Sequence, residues 1–438
     1  MRSTFAVAAL LPAFLACTTI AMAQSNHFEM MDVFQLEFAS DPQISPDGRH
    51  IVYERNSMDI MEDRRRTELW TLDADGSNHR KLTSRSVGES SPRWSPDGSM
   101  LAYLSKEEGK TQIFVRWMDA GQSAVLTQVL DSPRGIAWSP DGQRIAFSML
   151  VPEPEPSLAT LPAKPKGAKW ADPPKLIERV RNREDGIGYL PHGFDHLFVV
   201  PVAGGTARQV TTGDFHHRGA LSWTPDSKAL VFSANRNENW EYEFKNSEIY
   251  SVSLEDGEIR ELTDKNGPDE NPVVSPDGNS IAYLGYDDKI RTYQVTELHI
   301  MNIDGTGKSR LTESLDRSAS NPVWSSDGRG LFFQYDSEGN TKIAHVTLDG
   351  EVRVLAHDLG GTSYGRPYGG GSFSVADSGV FAFTLTRPEH LGDVALGTLG
   401  GSRVKRVTLL NDDLLAHKTL AAVEEIWFDS SFDGRKIQ

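Results

Sequence analysis

One segment of the chain has the pattern of a catalytic serine: residues 361–365 read GTSYG, a match to G-x-S-x-G. In α/β-hydrolases that serine lies on a tight turn between a strand and a helix, where its hydroxyl can attack an acyl carbon. Here residues 366–371 read RPYGGG, and proline with three glycines cannot continue as a helix. We interpret Ser363 as a loop residue and predict no catalytic residue in this chain.

Two histidine patterns could suggest a metal site. His192 and His196 are four residues apart, the spacing that places two zinc ligands on one face of a helix. Pro191 and Gly193 oppose a helix there. The adjacent histidines at 216–217 are interpreted as part of an ordinary polar loop. The sequence therefore predicts neither a metal site nor a cofactor.

Two charged loop segments are weaker candidates for binding. Both combine carboxylates with aromatic side chains, and either could contact the charged end of a peptide. The alternative is that both are solvated surface loops. The candidate binding residues are Arg183, Glu184, Asp185 and Tyr189 in one segment, and Glu238, Glu241 and Glu243 in the other.

A repeated turn phrase must position these segments. An apolar strand, a turn of the form Ser-Pro-Asp-Gly and a second apolar strand recur along the chain. Proline presets φ, aspartate caps its own backbone and glycine accepts a left-handed conformation, so each phrase predicts a hairpin. The aspartates stand at 47, 97, 141, 226, 277, 327 and 377, which gives separations of 50, 44, 85, 51, 50 and 50 residues.

A second hairpin follows each first one, with a tight turn such as Asp75-Gly76 and a final strand that usually ends in Leu-Thr or Val-Thr. Two hairpins make four antiparallel strands. Seven copies of such a unit predict an all-β protein, a seven-bladed β-propeller of four-stranded antiparallel blades. Eight blades and a long β-sandwich are the alternatives, but a sandwich would not explain why both hairpins recur in order.

The connections between strands predict a binding side. The 1–2 and 3–4 turns of each unit are short, whereas the 2–3 connections at 54–66, 150–195, 235–246 and 285–296 are long. The 150–195 insertion in blade three begins proline-rich and then becomes basic. Long loops on a rigid scaffold commonly carry binding residues. We expect the side with these loops to meet a partner.

Charge and targeting signals limit the possible partners. The 438 residues contain 61 Asp and Glu against 45 Lys and Arg, a formal net charge of −16, which opposes nucleic-acid binding.

Residues 1–23 have the features of a secretory signal peptide, with small residues before Gln24, and contain the single cysteine, Cys17. Acylation of Cys17 is an alternative reading. We expect an exported protein, periplasmic or secreted, with no membrane span.

The combination of features resembles the propeller of prolyl oligopeptidase-family serine peptidases, in the acylaminoacyl-peptidase and dipeptidyl-peptidase 5 branch. The turn repeats, the signal peptide, the segment from Arg181 to His196 and the phrases at 365–368 (GRPY) and 371–374 (GSFS) carry this resemblance over residues 26–438. The expected organisation is a signal peptide at 1–23, a propeller at 24–408, and a linker with hydrolase-like opening strands at 409–438.

The resemblance implies a division of labour. In that family an α/β-hydrolase domain follows the propeller and carries the catalytic Ser, Asp and His, while the propeller admits short peptides. No residue of this chain matches a triad position. We therefore expect a non-catalytic, substrate-gating part of a serine peptidase, inactive alone, whose partners are a missing or separate hydrolase domain and short peptides.

Two other functions are compatible with a propeller. A stand-alone periplasmic binding propeller of the Tol-system type shares the turn phrase, although such proteins carry an additional domain before the propeller. A propeller lactonase or sugar hydrolase would need carboxylates or histidines that converge on one site, and the sequence offers no such group.

Overall fold

The computed structural model describes residues 26–83, 88–160, 162–171, 174–360, 371–401 and 403–438. The regular structure of these residues is almost entirely β-strand, which confirms the all-β prediction. The two short helices of the described residues are a 3-10 helix at Met30–Gln35 and α1 at Asp412–Leu415. Neither is long or apolar enough to cross a bilayer.

The strands occur in groups of four that are consecutive along each repeat. The first two groups are β1 (Phe38–Ile44), β2 (His50–Asp59), β3 (Arg64–Asp73) and β4 (Arg80–Lys81), then β5 (Ser90–Trp94), β6 (Met100–Glu107), β7 (Lys110–Trp117) and β8 (Ser123–Val125). The third group is β9 (Arg134–Trp138), β10 (Arg144–Pro152), β13 (Gly193–Pro201) and β14 (Arg208–Gln209), interrupted by the small hairpin β11 (Arg183–Glu184) and β12 (Gly188–Tyr189).

The remaining groups follow the same order. They are β15 (Leu221–Trp223), β16 (Ala229–Ala234), β17 (Glu248–Ser253) and β18 (Ile259–Glu261); β19 (Asp269–Val274), β20 (Ser280–Gly285), β21 (Glu297–Asn302) and β22 (Ser309–Arg310); β23 (Ala319–Trp324), β24 (Gly330–Ser337), β25 (Asn340–Thr347) and β26 (Val352–Leu359); and β27 (Phe373–Val375), β28 (Val380–Arg387), β29 (His390–Thr398) and β30 (Lys405–Arg406). A last hairpin pairs β31 (Phe428–Asp429) with β32 (Lys436–Ile437).

Each group is an antiparallel sheet in the order 1-2-3-4, with one exception. The first five groups form separate four-stranded sheets, whereas β23–β26 and β27–β30 are joined into one sheet by the single pair Leu359↔Leu385. Because the strands are antiparallel, the 2–3 connections leave each sheet at the end opposite its Ser-Pro-Asp-Gly turn. We call the ends with the 2–3 connections the loop face.

The repeated turns have the local structure that their residues predict. Ser95 Oγ donates to Asp97 Oδ1 at 2.7 Å, and the same oxygen accepts the backbone N–H of Ser99 at 3.1 Å. Gly98 has φ of 71°. The hydrogen bond from Ser95 lowers the pKa of Asp97, so this carboxylate is charged at neutral pH and has a structural task.

Four tryptophans, each at the end of the first strand of its group, join neighbouring sheets. Each indole N–H donates to a backbone carbonyl on the first strand of an earlier group. The pairs are Trp94 to Gln43 at 3.0 Å, Trp138 to Arg93 at 2.9 Å, Trp223 to Ala137 at 3.1 Å and Trp324 to Val273 at 2.9 Å.

The first and last groups of strands also touch. Strand β1 contacts β27, β28 and β29, and the N–H of Ile44 donates to Ser374 Oγ at 2.8 Å. An apolar cluster shared by the two groups includes Tyr53 and Val394, both fully buried. Apart from β23–β30, which share one sheet, neighbouring groups are therefore in contact through side chains rather than through a continuous sheet.

The loops differ from the predicted ones at two places. Residues 54–66 are not a loop, because β2 and β3 stay paired out to Asp59↔Arg64. The pairing of β10 with β13 likewise continues to Pro152↔Gly193, so the insertion proper is residues 153–192. We call these residues the arm. The connections at 235–246 and 286–296 are irregular as expected.

Candidate functional site

The serine pattern at 361–365 lies outside the described residues, as do the phrase at 365–368 and the signal peptide at 1–23. Among the residues that the structure does describe, no group of three or more His, Cys, Asp or Glu is arranged to hold a metal ion. The remaining candidates lie on the loop face.

A cavity of about 430 Å³ lies between the arm and the 235–246 loop. We call it the arm cavity. Glu184 and Tyr189 contribute to its lining from the arm, and Glu241 contributes from the loop. These three of the seven predicted binding residues are thus brought to one site, although they come from two connections.

The other four predicted residues do not line the arm cavity. The guanidinium of Arg183 lies 5.9 Å from the ring centre of Tyr189, and Arg183 is exposed. Asp185 is exposed at the hairpin turn, and Glu238 is exposed on the 235–246 loop. Glu243 is exposed too, and its backbone carbonyl accepts a hydrogen bond from Asn235 at 2.7 Å, which shapes the loop.

Arg179 fastens the middle of the arm to both of its ends. Its Nη1 donates to the carbonyl of Gly193 at 3.1 Å, and its Nη2 lies 3.8 Å from Glu153 Oε2. The guanidinium also lies 4.4 Å from the ring centre of Phe194, a favourable cation–π distance. His192 Nδ1 adds a contact of 3.6 Å to the same Glu153 oxygen. Arg179 is therefore a positioning residue for the arm.

The 235–246 loop closes the other side of the cavity. Glu241 Oε2 accepts the backbone N–H of Val180 at 3.4 Å, which links the loop to the arm. The ring of Trp240 stands edge-on to His216 at 5.7 Å and to Phe194 at 6.2 Å. Aromatic contacts of this kind favour a fixed arrangement of the two loops.

Asp195 and His216 form a hydrogen-bonded pair at the base of the cavity. The Asp195 side chain is 5% exposed, and its Oδ2 lies 2.9 Å from His216 Nδ1 and 3.9 Å from Arg218 Nη1. Burial alone would raise the pKa of Asp195, but the hydrogen bond and charge of His216 and the charges of Arg218 and Arg134 outweigh it and lower that pKa. A negative charge is thus held beneath the cavity at neutral pH.

Sequence reasoning missed this pair. The histidines at 216–217 were expected in a polar loop, yet His217 is fully buried. Its ring stacks on His196 at 5.2 Å, and burial together with the nearby charge of Arg236 lowers the pKa of His217 to about 3. Residues 193–200 of β13 are all buried, Asp195 and His196 included, so the largely apolar run FDHLFVV at 194–200 was a signal that the polar residues within it are buried too.

The lining of the arm cavity carries both signs of charge in similar number. Five cations and six carboxylates contribute to the lining, and so do the rings of Tyr189, Trp240 and Phe244. Such a surface can pair with an ammonium group and with a carboxylate, and its rings can pack against an apolar side chain. The cations are Arg134, Lys175, Arg179, Arg181 and Arg218, and the carboxylates are Glu155, Glu178, Glu184, Asp195, Glu241 and Glu270.

Two family models match parts of the chain. One, described as "TolB beta propeller domain", matches residues 58–155, and the other, "Dipeptidyl peptidase IV (DPP IV) N-terminal region", matches residues 166–286. The second match includes most of the arm and the 235–246 loop.

Curated relatives include peptidases. The chain is 26% identical to "Uncharacterized peptidase YuxL" of Bacillus subtilis (strain 168), over 91% of this chain and 61% of that protein. It is 24% identical to dipeptidyl-peptidase 5 of Porphyromonas gingivalis, over 92% of this chain and 58% of that protein. The chain thus spans about three fifths of the length of these curated relatives.

Solved structures agree on the fold. An acylaminoacyl peptidase of Pyrococcus horikoshii superposes with a TM-score of 0.68 at 17% identity, over 92% of this chain and 57% of that one. The β-propeller domain of the Trilobed protease from Pyrococcus furiosus superposes with a TM-score of 0.58 at 16% identity, over 87% and 98% of the two chains. The expected resemblance is confirmed at this level: the chain has a propeller-like β fold similar to that of the acylaminoacyl peptidase, and its curated relatives include dipeptidyl-peptidase 5.

Proposed function

We propose that this chain is the seven-bladed propeller of an exported serine peptidase and that it selects and orients short peptides for an α/β-hydrolase domain. The catalytic Ser, Asp and His belong to that domain, on the same or a separate polypeptide. The observation that carries the proposal is the match of peptidase relatives to more than 90% of this chain.

Seven blades account best for the strand groups. The joined sheet of β23–β30 divides into two blades, since one residue pair holds them together, and β1 packs on β27–β29 as neighbouring blades would. Side-chain contacts between adjacent groups then continue around a ring. An eighth blade would need four further strands between the first and last groups, where β1 already contacts its neighbour.

The loop face is suited to a partner domain. Several of its large apolar side chains are exposed at the tips of the 2–3 connections, an arrangement typical of an interface. Examples are Met61 at 87%, Phe244 at 69% and Tyr293 at 70% exposure. In the proposed enzyme these tips contact the hydrolase domain, and the arm cavity opens toward its active site.

The arm cavity receives the charged end of the peptide. An ammonium end would pair with carboxylates such as Glu184 and Glu241, while a carboxylate would pair with Arg134 or Arg218. The cavity volume of about 430 Å³ fits a few amino-acid residues and excludes a folded chain.

The direct experiment uses the 438-residue protein with chromogenic dipeptidyl and acylaminoacyl substrates and a fluorophosphonate probe. We expect no turnover and no labelling, because the nucleophile belongs to the hydrolase domain. Calorimetric titration with short peptides should nevertheless detect binding. Turnover by this chain alone, or labelling at Ser363, would contradict the proposal.

A second measurement addresses the hydrolase domain itself. Reading the gene beyond codon 438, or searching its neighbours, should reveal a frame with a His-Gly-Gly segment and a later G-x-S-x-G elbow. Adding that domain should produce peptide hydrolysis. A monomer that neither binds peptides nor gains activity would instead favour a stand-alone binding propeller.

Export is part of the proposal. We expect the signal peptide at 1–23 to be removed, so that the mature protein recovered from the periplasm or medium begins at Gln24. N-terminal sequencing of the secreted protein tests this. Protein retained in the cytoplasm with an intact N-terminus would contradict it.

A further inference from the structure

A second cavity of about 690 Å³ lies beside the 286–296 loop, which connects β20 to β21. We call it the basic cavity. Its lining carries more positive than negative charge, although the whole chain has a net charge of −16. The cations are Lys265, Lys289, Arg291, Lys308 and Arg310, and the carboxylates are Asp287, Glu297 and Asp316.

The five cations are not equivalent. Three of them have a carboxylate partner nearby: Lys265 with Asp287 at 3.5 Å, Lys308 with Asp264 at 3.1 Å and Arg310 with Glu297 at 3.4 Å. Lys289 and Arg291 make no ion pair with any residue that the structure describes. Both are exposed on the loop that borders the cavity. Their charges are therefore available to a ligand.

The loop that carries Lys289 and Arg291 is already ordered by its own side chains. Asp288 Oδ1 accepts the N–H of Ile290 at 2.8 Å and Gln294 Nε2 at 2.7 Å. Gln294 Oε1 in turn accepts a hydrogen bond from the backbone N–H of Lys289 at 2.6 Å. Because these bonds fix the loop before any ligand arrives, binding costs less conformational entropy.

Aromatic side chains form other parts of the lining. Tyr283 is buried and stacks on His299 at 5.1 Å. Burial, assisted by the charge of Lys265, lowers the pKa of His299 to about 4, so this imidazole is neutral at pH 7. Tyr293 is 70% exposed, with its hydroxyl 3.4 Å from Ser318 Oγ. The cavity thus combines cations with ring surface.

We propose that the basic cavity binds an acidic peptide segment, with Lys289 and Arg291 pairing with its side-chain carboxylates and Tyr293 packing against its aliphatic carbons. The cavity is larger than one inorganic anion needs. Its lining also contains Asp287, Glu297 and Asp316, and these carboxylates would repel a dianion such as phosphate more strongly than a single carboxylate. The site does not depend on the function proposed for the arm cavity.

The test is calorimetric titration of the 438-residue protein with acetylated, amidated tetraglutamate, and with tetraglutamine as the neutral peptide. We expect tetraglutamate to bind and tetraglutamine not to bind. The affinity for tetraglutamate should fall as the salt concentration rises from about 20 to about 200 mM. The double substitution Lys289→Glu/Arg291→Glu should weaken it about tenfold, because it removes two attractions and adds two repulsions.

A matched control separates this site from the general charge of the protein. Arg65→Glu/Lys110→Glu changes the same residue types at exposed positions on β3 and β7, and it should leave tetraglutamate binding unchanged. Equal binding of tetraglutamine, equal loss in the control, or an unaffected Lys289→Glu/Arg291→Glu variant would overturn the proposal. Displacement of tetraglutamate by an equal concentration of inorganic phosphate would overturn it as well, in favour of a phosphate site.

Discussion

The arm cavity and the basic cavity lie at 2–3 connections of the same type of sheet, yet they differ in construction. The arm cavity is closed by a 40-residue insertion (153–192), which Arg179 holds against β13 through a hydrogen bond to Gly193. The positive and negative charges of its lining nearly balance. The basic cavity is formed around one short loop that its own hydrogen bonds order, and its lining is positive. Similar sheets therefore carry different binding chemistry, because the residues on their connections and at their strand ends differ.

The buried carboxylates near the two cavities show a related contrast. Asp195 beneath the arm cavity has His216 and Arg218 as partners, and its pKa is lowered. Glu248 and Asp269, whose charges act on Tyr283 of the basic cavity, have raised pKa values of about 7 and about 6, with burial as the main cause. Similar burial thus shifts the pKa in opposite directions, because His216, Arg218 and Arg134 outweigh the loss of water at Asp195, whereas Lys265 and Lys308 offset it only in part at Asp269.

The largest effect is expected from Asp195→Ala. Removing this carboxylate leaves His216 and Arg218 without their buried partner, and breaking a pair of this kind costs about 3 kcal/mol of the free energy of unfolding. Urea denaturation at pH 7 measures the loss. The exposed turn residue gives the matched control, Asp185→Ala, with a change of about 0.5 kcal/mol or less. Similar losses in both variants would remove the contrast between a paired and a solvated carboxylate.

The pH dependence of the same residue has a defined sign. Because the folded-state pKa of Asp195 is lowered, its stabilisation is present above the unfolded pKa of about 3.9 and is lost as the pH falls through the folded value. Asp195→Ala should therefore show a weaker acid destabilisation below about pH 4 than the parent. An unchanged acid limb would contradict the lowered pKa.

Glu248 should give the opposite pH dependence. Its folded pKa is raised to about 7, so the folded protein holds a proton that the unfolded chain releases above about pH 4.3. Stability should therefore fall as the pH rises from about 5 to about 8, and Glu248→Gln should remove about 2 kcal/mol of that fall. The Gln side chain can still accept the hydrogen bond from Thr263 Oγ1, now 2.6 Å from Glu248 Oε2. Thermal unfolding of both proteins across this pH range measures the difference. If Tm changes with pH equally in the parent and in Glu248→Gln, the pKa of Glu248 is not raised.

A smaller and local effect is expected from Arg179→Met. The substitution removes the hydrogen bond to Gly193, the charge near Glu153 and the stacking on Phe194, so the arm should detach more often while the sheets stay folded. Limited trypsin digestion at Lys164 to Lys169 should accelerate several-fold, with little change in Tm. Arg181→Met removes an exposed pair with Glu184 and is the control. Equal digestion of the two variants would show that Arg179 does not position the arm.

The smallest effect should come from Glu238→Gln. This exposed carboxylate does not border the arm cavity, so peptide affinity should change less than twofold, whereas Glu241→Gln, which alters the cavity lining and its contact with Val180, should weaken binding more. Peptide titrations of both variants compare two neighbouring carboxylates on one loop. Equal losses would mean that general charge, rather than the cavity, determines binding.

Turns were predictable from the sequence, and pairings between distant residues were not. Ser95, Asp97 and Gly98 contact one another within one turn, so their chemistry can be read from neighbouring letters. The extension of β2 and β3 was missed because six of the eight residues at 59–66 are charged and the segment lacks a strong turn signal, while the two strands continue to pair. For the same reason Asp195 and His216, 21 residues apart, could not be matched in advance.

The candidate site was therefore predicted in part. Charged loop segments on long 2–3 connections pointed to Glu184, Tyr189 and Glu241, and the structure does bring these residues together. Arg183, Asp185, Glu238 and Glu243 belong to the same two segments but are exposed and do not line the cavity. Side-chain direction in an irregular loop depends on what the loop packs against, and here that is the contact between the arm and its neighbouring loop.

The amino-acid order alone determines the repeated hairpins, the all-β class and most of the long connections, because those features follow from strand periodicity and turn residues within a few positions. Tertiary structure decides which charged groups come into contact. It places Asp195 against His216 and Arg218, leaves Lys289 and Arg291 without carboxylate partners among the described residues, and sets the opposite pKa shifts of Asp195 and Glu248. The physical reason is that electrostatic energy depends on distance and burial, and neither is encoded by a residue's own neighbours in the chain.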